Sequence, residues 1–240
     1  MTVPRLPRKN SSMSIDLIVR RQNVLARIRA AEQRYHRPPG SVQLLAVSKT
    51  QPVAAVAALA AAGQLCFGEN YVQEALDKIT GLAALGLEWH LIGPLQANKT
   101  REVAEHFAWV HSVDRLKIAE RLNAQRPAGL PPLNVCLQVN IDQEPTKHGL
   151  DVDEVATVAQ AVAGLPKVRL RGLMAIPAPA VDMAAQRRPL ARLRELQESL
   201  NAAGLALDTL SMGMSDDLEA AIAEGATLVR IGTALFGPRL

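Results

Sequence analysis

The chain has 240 residues, 48% of them hydrophobic but only 3% aromatic, and a formal net charge of +4 at pH 7. This length suits one domain of alternating strands and helices with a core built mainly from aliphatic side chains. No apolar run approaches the ~20 residues that a membrane-spanning helix needs. With few aromatic side chains to stack on bases and no nucleic-acid-binding motif, we expect neither a membrane nor a nucleic acid as partner.

The first predicted element is a helix over residues 11–35. Its core-facing side chains are expected at helical spacing, namely Ile15, Ile18, Val19, Gln22, Leu25 and Ile28. The residues before it are basic, but the apolar segment of a secretory signal does not follow them. We therefore expect a flexible extension over residues 1–13 and a single domain over residues 14–240.

After this helix, short apolar runs alternate with amphipathic segments. Eight runs predict strands, at residues 42–48, 64–69, 88–93, 108–113, 134–141, 169–176, 209–215 and 227–236. Because most of these runs are apolar on successive residues, we expect burial on both faces of the sheet. The simplest arrangement is an α/β fold, a single TIM (β/α)8 barrel with an extra N-terminal helix, and an open doubly wound sheet is the alternative.

The two cysteines, Cys66 and Cys136, both lie inside predicted strands. This placement favours reduced thiols in the core of a cytoplasmic protein over a disulfide framework.

Polar residues follow several of the predicted strands, at the rim where the chemistry of such barrels is found. Lys49 comes directly after the first strand, in the segment LLAVSKTQP. A lysine in a barrel mouth is partly desolvated, which lowers its pKa and favours a nucleophilic amine. The alternative is a lysine that lies along apolar surface with its charge in water.

The last two strand ends resemble a phosphate site. The segments SMGMS and RIGT supply hydroxyl groups and glycines, at Ser211, Ser215, Gly232 and Thr233. In barrels these loops bind phosphate through backbone N–H groups and a helix N-terminus. Ordinary turn glycines and an N-cap serine are the alternative. A phosphate site opposite Lys49 suggests a Schiff base with pyridoxal 5′-phosphate (PLP) or with an aldolase substrate.

Ordered segments from about residue 15 to the end resemble a known family, the pyridoxal-phosphate homeostasis proteins (YggS-like), which share their barrel with the N-terminal domain of bacterial alanine racemase. The segments are AVSKT, FGENYVQE, WHLIGPLQANK, VHSVDR, VNIDQEPTKHG, RGLMAI, SMGMSDDLEAAI and VRIGTALFG. The resemblance implies a covalent aldimine between Lys49 and PLP. It implies that the phosphate is held by Ser215, Gly232, Thr233 and Ser211. Arg230 is expected to face the pyridine nitrogen, with Asn70 near the ring. The mouth is expected to be lined by His90, Gln96, Asn98 and Lys99, with Lys147 near the entrance.

The resemblance also implies a function. The protein is expected to carry PLP and to serve intracellular PLP (vitamin B6) homeostasis in the cytoplasm, as a monomer or weak dimer, with PLP-dependent apoenzymes as possible recipients. Catalytic turnover is expected to be small or absent. An arginine at the pyridine nitrogen disfavours protonation of the ring and weakens the cofactor as an electron sink.

Two other functions stay open at this point. A PLP-dependent amino-acid racemase of the same barrel fold needs proton transfer on both faces of the substrate, and the sequence offers only Tyr35 and Tyr71 as tyrosine acids. A Schiff-base aldolase would also use a lysine in a barrel. The five histidines lack the H-x-H or H-E-x-x-H spacing of metal sites, so we expect no metal. His106 and His111 are interpreted as a helix-surface residue and a strand-end residue.

Overall fold

Eight parallel strands close into a barrel in the computed structural model, which describes residues 10–144 and 148–237. The strands are Gln43–Val47 (β1), Cys66–Glu69 (β2), Glu88–Leu91 (β3), Trp109–Val113 (β4), Leu133–Gln138 (β5), Val168–Met174 (β6), Thr209–Ser211 (β7) and Leu228–Ile231 (β8). Strand β1 pairs with β2 on one side and with β8 on the other, in the register Leu45 to Arg230. This closure confirms the predicted barrel and excludes the open sheet.

Helices connect most of the strands and surround the barrel. They are Asn10–Arg34 (α1), Val53–Ala61 (α2), Val72–Gly81 (α3), Thr100–His106 (α4), Leu116–Gln125 (α5), Val152–Ala163 (α6), Met183–Ala202 (α7), Leu218–Ala223 (α8) and Thr233–Phe236 (α9). Short 3-10 turns lie at Ala83–Leu85 and Ala97–Lys99. None of the helices in the described ranges is both long enough and apolar enough to cross a bilayer.

The main hydrophobic core lies between the strands and these helices. It consists largely of Leu, Val, Ile and Ala side chains, as the composition indicates, with Phe67 and Trp89 packed 5.7 Å apart between ring centroids. Inside the barrel a second, smaller cluster contains Trp109, Cys136 and Met174. Several other interior positions are polar, and they are described with the candidate site below.

The buried face of helix α1 agrees with the prediction only in its second half. Ile28 is buried and Leu25 packs against the core, as predicted. The other buried apolar side chains are Leu17, Val24 and Ala31, whereas Ile15, Ile18 and Val19 are exposed. Both sets have helical spacing, so tertiary contacts decide between them. An ion pair between Arg27 Nε and Glu219 Oε1, at 2.8 Å, joins the helix to α8 and favours the observed face.

Several boundaries also differ from the predictions; the seventh strand, for example, ends at Ser211 and not at residue 215. The eighth strand ends at Ile231, and the chain turns at Gly232 into helix α9 instead of continuing as a strand to residue 236. Helix α1 begins at Asn10, so residues 10–13 of the expected extension are helical, while residues 1–9 lie outside the described residues. The division into residues 1–13 and 14–240 stays a prediction.

Both cysteines are free, in agreement with the prediction of reduced thiols. Burial raises the pKa of the Cys136 thiol to about 12. Burial, together with the neighbouring Glu88 carboxylate, raises the pKa of the Cys66 thiol to about 12 as well.

The turn after β7 requires glycine at position 213. Gly213 has a φ of +92°, and a Cβ atom there would lie 2.5 Å from Cβ of Ala221 in α8. We expect Gly213→Ala to destabilise the protein by about 1–3 kcal/mol more than Gly204→Ala. Gly204 is a matched control, because its φ of +100° is also left-handed but no atom lies within 4 Å of the added Cβ. Urea unfolding of the two variants measures the difference, and equal losses would contradict the steric explanation.

Candidate functional site

A cavity of about 260 Å³ opens at the end of the barrel where the strands finish. It brings together six of the residues predicted from the sequence, namely Lys49, Asn70, Ser215, Arg230, Gly232 and Thr233. Val47, Ile92, Ile176, Met214 and Asp216 complete the lining. The size is close to the lower end of the about 300–1,000 Å³ typical of small-molecule sites. Because parallel strands end at the same rim, residues nearly 200 positions apart in the chain meet here.

Lys49 lies partly exposed at the end of β1, on a loop that is held on both sides. Lys78 Nζ donates to the carbonyl oxygen of Ser48 at 2.6 Å. On the other side, the backbone N–H of Thr50 donates to Glu74 Oε1 at 2.6 Å. Thr50 has a φ of +65°, an uncommon conformation for threonine, and this hydrogen bond helps to hold it. The lysine therefore projects from a short, restrained loop.

The restraint comes from a buried ion pair between α3 and β2. Lys78 Nζ lies 2.7 Å from Glu69 Oε1 and 2.7 Å from Glu74 Oε1, and both Lys78 and Glu69 are almost completely buried. The hydroxyl of Ser48 also donates to Glu69 Oε1, at 2.6 Å. Burial raises the pKa of the Glu69 carboxyl, against the opposing effect of Lys78 and Ser48. Glu69 therefore orients the loop that carries Lys49, and it does so from behind the cavity.

Arg230 presents a buried cation to the cavity from β8. Its Nη1 donates to the hydroxyl of Ser211 at 2.8 Å and also to the carbonyl oxygen of Ser211, and its Nη2 donates to the carbonyl oxygen of Ala175 at 2.8 Å. Burial lowers the pKa of the guanidinium to about 10, so it stays protonated at neutral pH. These bonds fix the plane of the guanidinium against the strand ends.

Another part of the cavity lining carries hydroxyl groups and loop backbone. Ser215 and Thr233 line it, and the backbone N–H of Ala234 donates to Ser215 Oγ at 3.4 Å. Arg27 of α1 holds the carbonyl oxygen of Ser215 at 3.0 Å. The nearby helices α8 and α9 have six and four residues, so their dipoles contribute less to an anion site than the sequence suggested. A side pocket of about 40 Å³ adjoins Lys49, Gly232 and Thr233.

A second cavity of about 260 Å³ adjoins the first and shares Asn70, Ile92 and Ile176 with it. The wall they share is tightly built, because a Cβ atom on Gly93 would lie 2.3 Å from the carbonyl oxygen of Asn70. The second cavity extends toward Asn140 and His148. The predicted entrance residue Lys147 lies outside the described residues.

The structure places the other predicted residues away from the cavity. Ser211 and His90 are fully buried inside the barrel, are not in the lining of the cavity, and hydrogen-bond to protein groups. Gln96, Asn98 and Lys99 belong to the loop and 3-10 turn before α4, and none is in the lining of the cavities at this rim.

Sequence reasoning missed the meeting of histidines inside the barrel. His111 lies within β4 and not at its end; it is fully buried, and its ring hydrogen-bonds to His90 at 2.9 Å and to Ser211 at 2.7 Å. The signal was a polar residue at every second position of an otherwise apolar strand, as in Glu88 and His90 of β3.

One group of possible metal ligands occurs among the described residues, at the far end of the barrel. The ligand atoms of Cys66, Glu88 and His90 lie within 4.8 Å of one another. Each already has a protein partner: Gln43 Nε2 lies 2.9 Å from Cys66 Sγ, and His90 Nε2 lies 2.9 Å from Glu88 Oε1. The group is therefore accounted for by hydrogen bonds alone.

Comparison with known proteins covers nearly the whole chain. A family model described as the N-terminal domain of alanine racemase matches residues 19–239. A protein of Pseudomonas aeruginosa named pyridoxal phosphate homeostasis protein is 65% identical over 216 residues, which are 90% of this chain and 93% of that protein. A protein of the same name from Escherichia coli K12 is 56% identical over 216 residues, or 89% of this chain and 92% of that protein. PipY of Synechococcus elongatus, in a structure with PLP bound, is 43% identical with a TM-score of 0.78, over 87% of this chain and 98% of that chain.

The buried ion pair behind Lys49 gives a prediction about stability. Lys78→Met should cost about 3–5 kcal/mol of unfolding free energy, because Glu69 would stay buried without its cation. Burial already raises the pKa of Glu69, and losing Lys78 raises it further. A carboxyl group whose pKa is higher in the folded than in the unfolded state loses stability as the pH rises. The deficit of the variant should therefore be larger at neutral than at mildly acidic pH.

Urea unfolding at the two pH values measures this deficit. The matched control is Lys99→Met, which breaks the partly exposed pair of Lys99 with Glu102, at 3.1 Å, and should cost less than about 1 kcal/mol. Similar losses for the two variants, or a deficit that shrinks as the pH rises, would refute the role of the buried pair.

Proposed function

The chain belongs to the family of pyridoxal phosphate homeostasis proteins, whose barrel is the alanine racemase N-terminal domain, and we propose that it carries PLP in the cavity beside Lys49. In this role it serves intracellular PLP (vitamin B6) homeostasis in the cytoplasm. The observation that carries the proposal is the convergence of a lysine, a buried arginine and a group of hydroxyls on one cavity. Relatives of the same name at 56–65% identity, and a PLP-bound neighbour, support it.

The residues of the cavity fit the chemical groups of PLP. When bound, PLP supplies an electrophilic aldehyde for reversible covalent attachment to an amine, and Lys49 is the amine in the lining. Ser215, Thr233 and the backbone at Gly232 offer hydrogen bonds to the phosphate. Asn70 offers an amide beside the ring, at the wall shared by the two cavities.

Arg230 favours carriage over catalytic turnover. A guanidinium has donors only, so it can donate to an unprotonated pyridine nitrogen but cannot accept from a protonated one. Because Arg230 remains a cation despite the lowered pKa of about 10, it disfavours a second positive charge on the ring. A cofactor held in this way is a weak electron sink, which suits storage and delivery.

Racemisation and aldol cleavage are less well supported. Racemisation needs an acid or base on each face of the bound substrate. Tyr71 is 59% exposed, Tyr35 lies beside Arg34 and Arg187, and neither tyrosine is in the lining of the cavity. The substrate of a Schiff-base aldolase has no pyridine ring, so aldol cleavage does not account for the buried arginine in the lining.

PLP-dependent apoenzymes are the recipients in this proposal. Lys49 is partly exposed at an open rim, so an amine from outside can approach the site of attachment without an opening of the barrel. All residues in the lining of the cavity come from this one chain. We therefore propose a monomer or weak dimer.

Absorption spectroscopy tests the attachment. Purified protein loaded with PLP should show a visible band that borohydride abolishes, and peptide mapping should then place the label on Lys49. The band should be lost in Lys49→Ala and kept in Lys99→Ala, a control lysine near the same rim. A protein that binds PLP without a reducible linkage, or that is labelled equally in the Lys49→Ala variant, would contradict the proposal.

Ligand affinity tests the phosphate contacts. Thr233→Val and Ser215→Ala each remove a hydroxyl, and loss of a hydrogen bond to a charged group should weaken PLP binding by about 10- to 100-fold. Pyridoxal, which lacks the phosphate, should bind the variants and the unmodified protein nearly equally. A comparable loss of pyridoxal binding would show that the hydroxyls act on something other than the phosphate.

A further inference from the structure

A line of hydrogen bonds crosses the interior of the barrel, from the end where the strands begin to Arg230 near the cavity. His90 Nε2 lies 2.9 Å from Glu88 Oε1, and His90 Nδ1 lies 2.9 Å from His111 Nε2. His111 Nδ1 lies 2.7 Å from Ser211 Oγ, which lies 2.8 Å from Arg230 Nη1. The line runs through β3, β4, β7 and β8, and strands β4 and β7 are not neighbours in the sheet. It therefore passes through the barrel interior.

The ionised carboxylate of Glu88 and two neutral rings together determine the direction of every bond. A carboxylate has no donor, so Glu88 accepts from His90 Nε2–H, and a neutral His90 then accepts at Nδ1 from His111 Nε2–H. A neutral His111 accepts the hydroxyl hydrogen of Ser211 at Nδ1, while the oxygen of Ser211 accepts from Arg230. In this arrangement each ring carries its proton on Nε2.

The surroundings of the rings support neutral histidines. Burial lowers the pKa of His90, and burial with the nearby His90 and Arg230 holds the pKa of His111 well below its usual range. His90 is stacked on Trp109 with ring centroids 5.4 Å apart, and the guanidinium of Arg171 lies 4.8 Å from the centroid of that indole. A charged His111 would lie close to Arg230, whereas at His90 burial outweighs the opposing effect of the Glu88 carboxylate on the pKa.

We propose that Glu88, His90, His111 and Ser211 form a one-directional hydrogen-bond relay that positions Arg230 against the pyridine nitrogen of PLP, an inference that rests on the proposed function. Ser211 is the residue that touches Arg230, and the histidines keep its hydroxyl turned so that its oxygen accepts. Glu88 sets the direction of the whole relay from the opposite end of the barrel. All four are positioning residues, since they act through Arg230 and are not in the lining of the cavity.

Histidine 15N NMR is the first experiment, because it reads the relay with or without PLP. In the unmodified protein, His90 and His111 should each show a protonated Nε2 and an unprotonated Nδ1. Glu88→Gln replaces the acceptor by an amide that can both donate and accept, so the direction is no longer imposed and the signals of both rings should shift. Glu198→Gln, in an exposed pair with Arg194 on α7, is the matched control and should leave them unchanged. A proton on Nδ1 of either ring in the unmodified protein, or unshifted signals in Glu88→Gln, would overturn the relay.

The effect on the cofactor is measured with PLP-loaded protein. Ser211→Ala should shift the visible band and weaken PLP binding by about tenfold, the effect of one lost hydrogen bond to a charged group. Ser211→Thr keeps the hydroxyl and should restore both. Glu88→Gln should change the band in the same sense with a smaller loss of affinity. If the reducible band on Lys49 is present but Ser211→Ala and Glu88→Gln leave band and affinity unchanged, the relay is wrong and the proposed function stands.

The two proposals fail in different ways. If the reducible band is absent from the unmodified protein, the proposed function fails, and with it the assignment of Arg230 to the pyridine nitrogen. Histidine NMR then still reports whether Glu88 sets the direction of the hydrogen bonds. Since that measurement uses the intact chain and a substitution at the half-buried carboxylate of Glu88, it does not depend on how well Ser211→Ala folds.

Discussion

The pairing of β1 with β8 closes the barrel, and the arrangement of the cavity depends on this contact. It sets the register in which Leu45 lies beside Arg230 and Ala46 beside Ile231. Because Lys49 and Thr233 follow shortly after these two paired strands, both residues lie on one side of the same cavity. An open sheet would leave these two strands at opposite edges, so that the lysine and the hydroxyl groups could not act on one small molecule.

Two buried groups of ionisable residues lie close to the cavity, in a fold whose interior is usually filled with aliphatic side chains. Outside the barrel, between α3 and β2, the pair of Lys78 with Glu69 restrains the loop at Lys49. Inside the barrel, the histidines connect Arg230 to the far end. Such groups are costly to bury unless they are paired and hydrogen-bonded, and these bonds restrict the side chains to one arrangement. The same networks explain how a chain with few aromatic residues holds its functional side chains in place.

The rim of the barrel could be predicted from the sequence because polar residues that follow buried parallel strands must end up on one side. Lys49, Ser215 and Thr233 were found by this rule. Polar residues at alternate positions of a strand, such as Glu88 and His90, indicate which side chains face inward. The sequence does not show which of them meet across the barrel, so the hydrogen bonds of His90 with His111, and of His111 with Ser211, could not be predicted. Lys78 was missed because its spacing of four from Glu74 is typical of a surface ion pair, whereas the structure buries the lysine. In helix α1 two apolar stripes compete, and only packing against α8 and its neighbours selects one.

The two cysteines are poor nucleophiles, and this matters for a protein that binds a reactive aldehyde, because a reactive thiol would compete with the intended lysine. A thiol reacts with electrophiles and oxidants through its thiolate, and a pKa of about 12 at both Cys66 and Cys136 leaves almost none at neutral pH. Neither thiol therefore competes as a nucleophile with the amine of Lys49, which lies at the rim of the barrel. Burial also protects the Cys136 thiol from oxidation to sulfenic acid.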